Sequence, residues 1–265
     1  MKIAVCIKQV PNREWQPRLR DDKSWIRDQD VSYEMNEPDA YALEEALRLR
    51  EKHGGEVVVC SAGPARVQQV LREALARGAD RALHVEDDSL GSADASAGAG
   101  ALAGAMTGER FDLVLTGLQS DDQGHGQTGV VLAERLGVPH STIIMEIQVQ
   151  VPEGDATSAD GQSPRVRVKR ELEGGWFQWL TMPLPALLTV QSGINQLRYA
   201  TLKGIMAAKK KEIRKVPLVA GLQPSQQIVS LALPTRSKQT EMIGGSPSDA
   251  ARELVRRLRD EARAL

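Results

Sequence analysis

Short apolar runs alternate with helix-period segments through the first two-thirds of the chain. Residues 3–7, 56–61, 82–85 and 112–116 are near-continuous apolar runs, the pattern of strands buried on both faces. Between the first two, residues 39–52 place Ala40, Leu43 and Leu47 on one face of a helix. Val67, Val70, Leu71, Ala74 and Leu75 do the same in the next helix, with Pro64 near its start and Gly78 at its end. A third helix is expected over residues 93–106, where many Ala and Gly residues blur the period. Strand–helix alternation of this kind predicts an α/β fold: a mostly parallel sheet with right-handed crossovers and helices on both faces. Ligands of such sheets bind beyond the carboxyl ends of the strands. That directs attention to the segments after Ile7, Cys60 and Thr116.

Residues 152–164 have turn composition and no apolar period, and a mobile hairpin loop is expected there. The strand after it, residues 165–172, alternates Val166 and Val168 with Arg167 and Lys169. Beyond Gln191 the rhythm stops. The division expected is therefore an α/β domain over residues 1–190 and an extended C-terminal arm over 191–265, without a core of its own. The arm ends in a helix: Ser246, Pro247 and Asp249 form a start signal, and Leu254, Val255, Leu258, Ala262 and Leu265 line one face. Such a helix needs a surface to pack on, either a partner subunit or the chain's own domain.

Composition adds exclusions. Over 265 residues the formal net charge is −1, so no global attraction to nucleic acid or anionic membrane is expected. Aromatic residues make up 3 %, which leaves the core to Val, Leu, Ile and Ala. The two cysteines, Cys6 and Cys60, sit in apolar runs and read as buried free thiols. No apolar run approaches the ~20 residues of a membrane span, and the N-terminus enters a strand directly, so a cytoplasmic location and no membrane insertion are expected. His53, His84, His125 and His140 show no metal-ligand spacing, and no Ser/His/Asp or Cys/His arrangement is apparent. No catalytic side chains are assigned.

The candidate chemistry lies in Thr116-Gly117-Leu118-Gln119-Ser120-Asp121-Asp122-Gln123-Gly124-His125-Gly126-Gln127-Thr128-Gly129, ahead of a helix through Val131, Leu132 and Leu136 to Gly137. Glycines and small polar residues before a helix leave backbone N–H groups for a phosphate, to which Thr128 adds a hydroxyl. Asp121 and Asp122 suit ribose hydroxyls or loop hydrogen bonds better than a phosphate. An ordinary polar strand-to-helix loop has the same composition. No P-loop and no Gly-x-Gly-x-x-Gly fingerprint occurs. In Met35-Asn36-Glu37-Pro38-Asp39, Asn36 reads either as a helix N-cap or as a ligand contact. Lys209, Lys210, Lys211, Arg214 and Lys215 form a basic run, read on its own as a solvated helix end.

From Val168 to Lys211 the chain reads Val168-Lys169-Arg170-Glu171-Leu172-Glu173-Gly174-Gly175, then Gln178-Trp179-Leu180, then Pro185-Ala186-Leu187-Leu188-Thr189. Leu197-Arg198-Tyr199-Ala200-Thr201-Leu202 and Ile205-Met206-Ala207-Ala208 follow. This order of a basic strand, an acid/glycine turn, a proline-led buried strand and an R-Y-A-T-L segment resembles the β-subunit of electron transfer flavoprotein. The resemblance covers about residues 1–215 and implies a Rossmann-like fold of the adenine-nucleotide-binding type.

It further implies AMP held structurally by Cys6, Asn36, Ala62, Gly117, Gln119, Asp122, Gly126, Gln127, Thr128 and Gly129. The family often has Asn where Gly126 stands. An FAD shared with an α-subunit is implied as well, with β-side aromatics in the segments that hold Arg13 and Pro38 here; Trp15 is the neighbouring aromatic. Tyr199, Leu202 and Met206 would dock acyl-CoA or related dehydrogenases, Leu202 as the protruding anchor, and electrons would leave to a membrane quinone oxidoreductase. Read without the resemblance, Leu202 is an ordinary buried leucine. Two alternatives remain: an electron-bifurcating member with FAD in the AMP site, and a stand-alone adenine-nucleotide-binding regulator or hydrolase.

Overall fold

The computed structural model describes residues 1–150, 164–234 and 240–265. The apolar runs become strands β1 (Lys2–Cys6), β4 (Glu56–Gly63), β5 (Arg81–Glu86) and β6 (Leu113–Gly117), and a buried β10 (Ala186–Val190). The helical periods become α1 (Glu37–His53), α2 (Gln68–Arg77), α3 (Ala95–Met106) and α4 (Thr128–Leu136). A nine-stranded sheet runs β11-β5-β4-β1-β6-β10-β7-β8-β9. It is parallel from β11 (Ile213–Val216) to β7 (His140–Gln150) and closes with antiparallel β8 (Arg165–Glu171) and β9 (Phe177–Pro183). Beside it, β2 (Gln9–Pro11) and β3 (Tyr33–Met35) form a small antiparallel ribbon.

Alternation along the strands builds two cores. Ile3 and Val5 pack with Leu43 and Leu47 of α1 and Leu71 of α2, whereas Ala4 and Cys6 face Leu102 of α3 and Leu132 of α4. Helices thus cover both faces of an α/β sheet. From central β1 the chain moves outward through β4 and β5, then returns to β6 on the opposite side. A crevice opens at that reversal of direction, at the carboxyl ends of the strands.

Several elements go beyond the expectation or revise it. β7 extends the sheet; its Ile144 and Ile147 are buried between more exposed neighbours. Within the basic run, Lys209 and Lys210 are exposed at a helix end as expected, whereas Lys211 is not solvated: its Nζ donates to the carbonyls of Leu75 and Ala79 at 3.1 and 2.5 Å. Arg214 and Lys215 lie on edge strand β11, paired with Glu109 and Glu86. Charged side chains on an edge also discourage further strand pairing. The Ala/Gly-rich character of α3 has a tertiary cause. A Cβ on Gly100 or Gly104 would lie 2.4 or 2.3 Å from Leu222 or Val219, so these glycines admit the start of the arm.

The expected loop at 152–164 falls, but for Pro164, outside the described residues. The arm after β11 has no strand among its described residues. It ends in α6 (Pro247–Asp260), whose N-cap Ser246 accepts from the Asp249 N–H and which buries no residue.

Candidate functional site

The cleft at the carboxyl edge is walled by the ends of β1, β4 and β6, the loop 117–127, and the first turns of α3 and α4. Its empty space, open mouth included, is about 860 Å³. Cys6, Asn36, Ala62, Gly117, Gln119, Gly126, Gln127, Thr128 and Gly129 all line it. Asp122 does not; its carboxylate takes the Lys8 ammonium at 2.7 Å and lines an adjoining cleft. His125 lines both clefts.

The long polar loop is held from the N-terminal segments. Lys8 Nζ also reaches Ser120 Oγ and Gln123 Oε1 at 3.2 and 2.9 Å. The Asn36 side chain donates to the Gln119 carbonyl at 3.0 Å and accepts from the Asp121 N–H at 2.9 Å. Asn36 stands at the N-cap position of α1 but makes no side-chain capping bond, because both ends of its amide are engaged by the loop. Arg13 bridges Asp121 and Glu37.

Beneath the loop, buried Asp39 joins two strand ends: it accepts from the Lys8 N–H and the Gly117 N–H, each at 2.8 Å. Burial lifts its pKa to about 6 against those two donors. Burial, with Cys60 and Asp39 nearby, pushes the Cys6 thiol well up, so Cys6 serves as an inert wall.

α4 begins at Thr128 with no side-chain cap, and Gln127 and Thr128 are exposed. Its first-turn N–H groups and the positive end of its dipole are thus available to an anion. Away from this polar end, Leu90, Leu102 and Ala62 supply apolar wall. Sequence reasoning noted the segments around Lys8 and Asp39 but did not single out those residues. It missed the wall made by Leu90 and the α3 residues Gly98 and Leu102, whose placement depends on the crossover after β5. Trp15 and Trp25 line the adjoining cleft with Tyr33, whose ring carries the Arg66 guanidinium at 4.2 Å.

Comparison with known proteins accords with this geometry. The family model described as electron transfer flavoprotein domain matches residues 24–220. The electron transfer flavoprotein subunit beta of Methylophilus methylotrophus is 35 % identical, over 96 % of this chain and 97 % of its own length. That of Bacillus subtilis is 33 % identical over the full length of both. The mitochondrial subunit beta of Oryza sativa subsp. japonica is 35 % identical, again over both full lengths.

This chain belongs to the electron transfer flavoprotein β-subunit family. In this family member, no helix among the described residues is long and apolar enough to cross a membrane. Tyr199, Leu202 and Met206, none of which lines the cleft, are 87, 82 and 61 % exposed. The last two lie on the short helix α5 (Leu202–Ala208). Leu202 is not a buried leucine of the tail.

Proposed function

We propose that this chain is the β-subunit of a heterodimeric electron transfer flavoprotein that binds AMP structurally in the cleft, helps hold the FAD of its α-subunit, and docks dehydrogenases. The observation that carries the AMP reading is the uncapped start of α4 in a cleft that also has an apolar wall of Ala62, Leu90 and Leu102. A phosphate at Gln127-Thr128-Gly129 gains backbone donors, the Thr128 hydroxyl and the helix dipole. Pairing of Asp121 with Arg13 and of Asp122 with Lys8 removes the repulsion those carboxylates would otherwise exert.

Bound FAD supplies the electron storage. This chain's residues contribute a scaffold and, through Leu202 and its neighbours, a docking point. The donors are acyl-CoA or related dehydrogenases and the acceptor is a quinone oxidoreductase. The exposed apolar face of α6, with Leu254 and Val255 48 and 44 % exposed, suits burial against the α-subunit.

A second reading, FAD in place of AMP, is favoured by one feature: the cleft shares Lys8, Ala62, Leu90, Gln123 and His125 with the aromatic-walled cleft beside it. A dinucleotide has room to extend there. The deciding experiment is nucleotide extraction from the chain co-purified with its α-partner. One FAD and one AMP per heterodimer is expected; two FAD and no AMP would replace the carrier reading by the bifurcating one. ATP turnover by the isolated chain would favour a hydrolase instead.

A further inference from the structure

The docking element has little reason, by apolar burial, to be ordered. α5 has seven residues and buries only Ala208, while Tyr199, Leu202, Ile205 and Met206 are all exposed. Isolated helices shorter than about 12 residues are marginal in water. Polar contacts at three points supply the order.

At the entry, Arg198 grips the carboxylate of buried Glu44 on α1, with Nε at 2.7 Å and Nη2 at 3.1 Å, and reaches Glu51 through Nη1 at 2.5 Å. At the first turn, Thr201 caps α5 by accepting from the Gly204 N–H at 3.0 Å. Gly204 lies so near α2 that a Cβ there would sit 2.3 Å from the Ala76 carbonyl oxygen. At the exit the two helices cap one another. Arg72 of α2 donates to the carbonyls of Ala208 and Lys211 at 2.7 and 2.6 Å, and Lys211 donates to the carbonyls of Leu75 and Ala79. The carbonyls left over at a helix end are thereby satisfied by cations, the favourable sign for the dipole.

We infer that Arg72 is a positioning residue for dehydrogenase docking: it fixes the exit of α5 so that Leu202 and Met206 are presented in their bound arrangement before the partner arrives. Ordering is then not charged against affinity at encounter. The inference rests on the docking role proposed for Leu202 above.

Two measurements on the α/β heterodimer test it. The first is amide hydrogen exchange over residues 202–208. The second is steady-state kinetics with an acyl-CoA dehydrogenase reduced by its acyl-CoA, with the heterodimer as varied acceptor. Arg72→Met should accelerate exchange and raise KM each by about 25-fold, the size of the two net hydrogen bonds it removes. FAD content, kcat and melting temperature should stay unchanged. Arg72→Lys should restore both readouts. Because Arg72 acts through Leu202 and Met206, adding Arg72→Met to Leu202→Ala should raise KM by less than Arg72→Met does alone.

Unchanged exchange in Arg72→Met overturns the inference whatever the kinetics show. An unchanged KM in Leu202→Ala refutes the docking reading instead, and exchange still judges the clamp. Should Arg72→Met lower the melting temperature, Gly204→Ala carries the test: its Cβ pushes α5 from α2, with the same signs expected.

Discussion

Gly117 is the point at which the cleft and the core meet, and adding one methyl group there is a stringent test. The Cβ of an alanine would fall 2.5 Å from Asp39 Oδ1, 2.6 Å from Pro38 Cβ and 2.8 Å from the Asp39 nitrogen. Carbon–carbon contacts settle near 3.5–4.0 Å, so the first turn of α1 must retreat by about 1 Å. Backbone atoms cannot swing aside as a side-chain tip does. The retreat also pulls Asp39 from the Gly117 N–H, now 2.8 Å away. Overpacking costs about 1–3 kcal/mol, and loss of a hydrogen bond to a charged acceptor about 1.5–3 kcal/mol. The expected total for Gly117→Ala is about 2.5–6 kcal/mol. At roughly 2–4 °C per kcal/mol for domains of somewhat smaller size, the melting temperature should fall by about 10 °C. Calorimetry on the heterodimer, with bound AMP counted after denaturation, reads both effects. A drop smaller than about 2 °C with AMP fully retained would refute the claim that α1, β6 and the cleft lock together at this contact.

Thr128→Val keeps the shape at the start of α4 but deletes the hydroxyl, and should weaken AMP about fivefold, one net hydrogen bond, as read by equilibrium dialysis; unaltered affinity would move the phosphate elsewhere. Glu109 holds Arg81 and Lys2, each at 2.7 Å, and also Arg214; chiefly Arg81, then Lys2, bring its pKa down to about 2. Because the folded pKa is depressed, its stabilisation is complete above the ordinary carboxylate range and disappears as pH falls through about 2. The stability deficit of Glu109→Gln in urea should therefore be largest near neutral pH and shrink toward pH ~2; a deficit independent of pH would dissociate it from the ion cluster. Truncation before Ser246 removes a helix with no fully buried residue, so the isolated chain should melt nearly as before. Affinity for the α-subunit should fall at least tenfold, since each buried leucine or valine contributes roughly 1.5–3 kcal/mol.

The strands flanking the cleft were legible because burial on both faces leaves an unbroken apolar run. Residues 56–61 and 82–85 fall inside β4 (Glu56–Gly63) and β5 (Arg81–Glu86). α3 was blurred for a reason no local window contains: Gly100 and Gly104 answer to Leu222 and Val219, more than a hundred residues downstream. Lys211 and Arg214 read as solvated because a run of like charges normally is. Here each finds its acceptors, the carbonyls at the end of α2 and the Glu109 carboxylate, only through the fold. Asn36 carried two readings, cap and ligand contact. Its actual bonds run to the Gln119 carbonyl and Asp121 N–H, contacts 83 and 85 positions away that periodicity does not encode.

One helix links the cleft to the proposed docking element. At the start of α1, Asn36 and Asp39 tie down the polar loop and the ends of β1 and β6. Further along the same helix, Glu44 and Glu51 receive Arg198 at the entry to the docking segment. α1 spans 17 residues, about 25 Å at 1.5 Å per residue, and its inner face is packed against β1 and β6 through Leu43 and Leu47. A rigid, buried helix passes displacement along its axis with little loss, since closely packed interiors have no slack to absorb it. The Gly117→Ala heterodimer therefore separates two cases. If α1 shifts as a body, exchange should rise at residues 198–202 as well as in the loop. If only its first turn gives way, the rise should stop short of Glu44, and the cleft and the docking element would be mechanically independent.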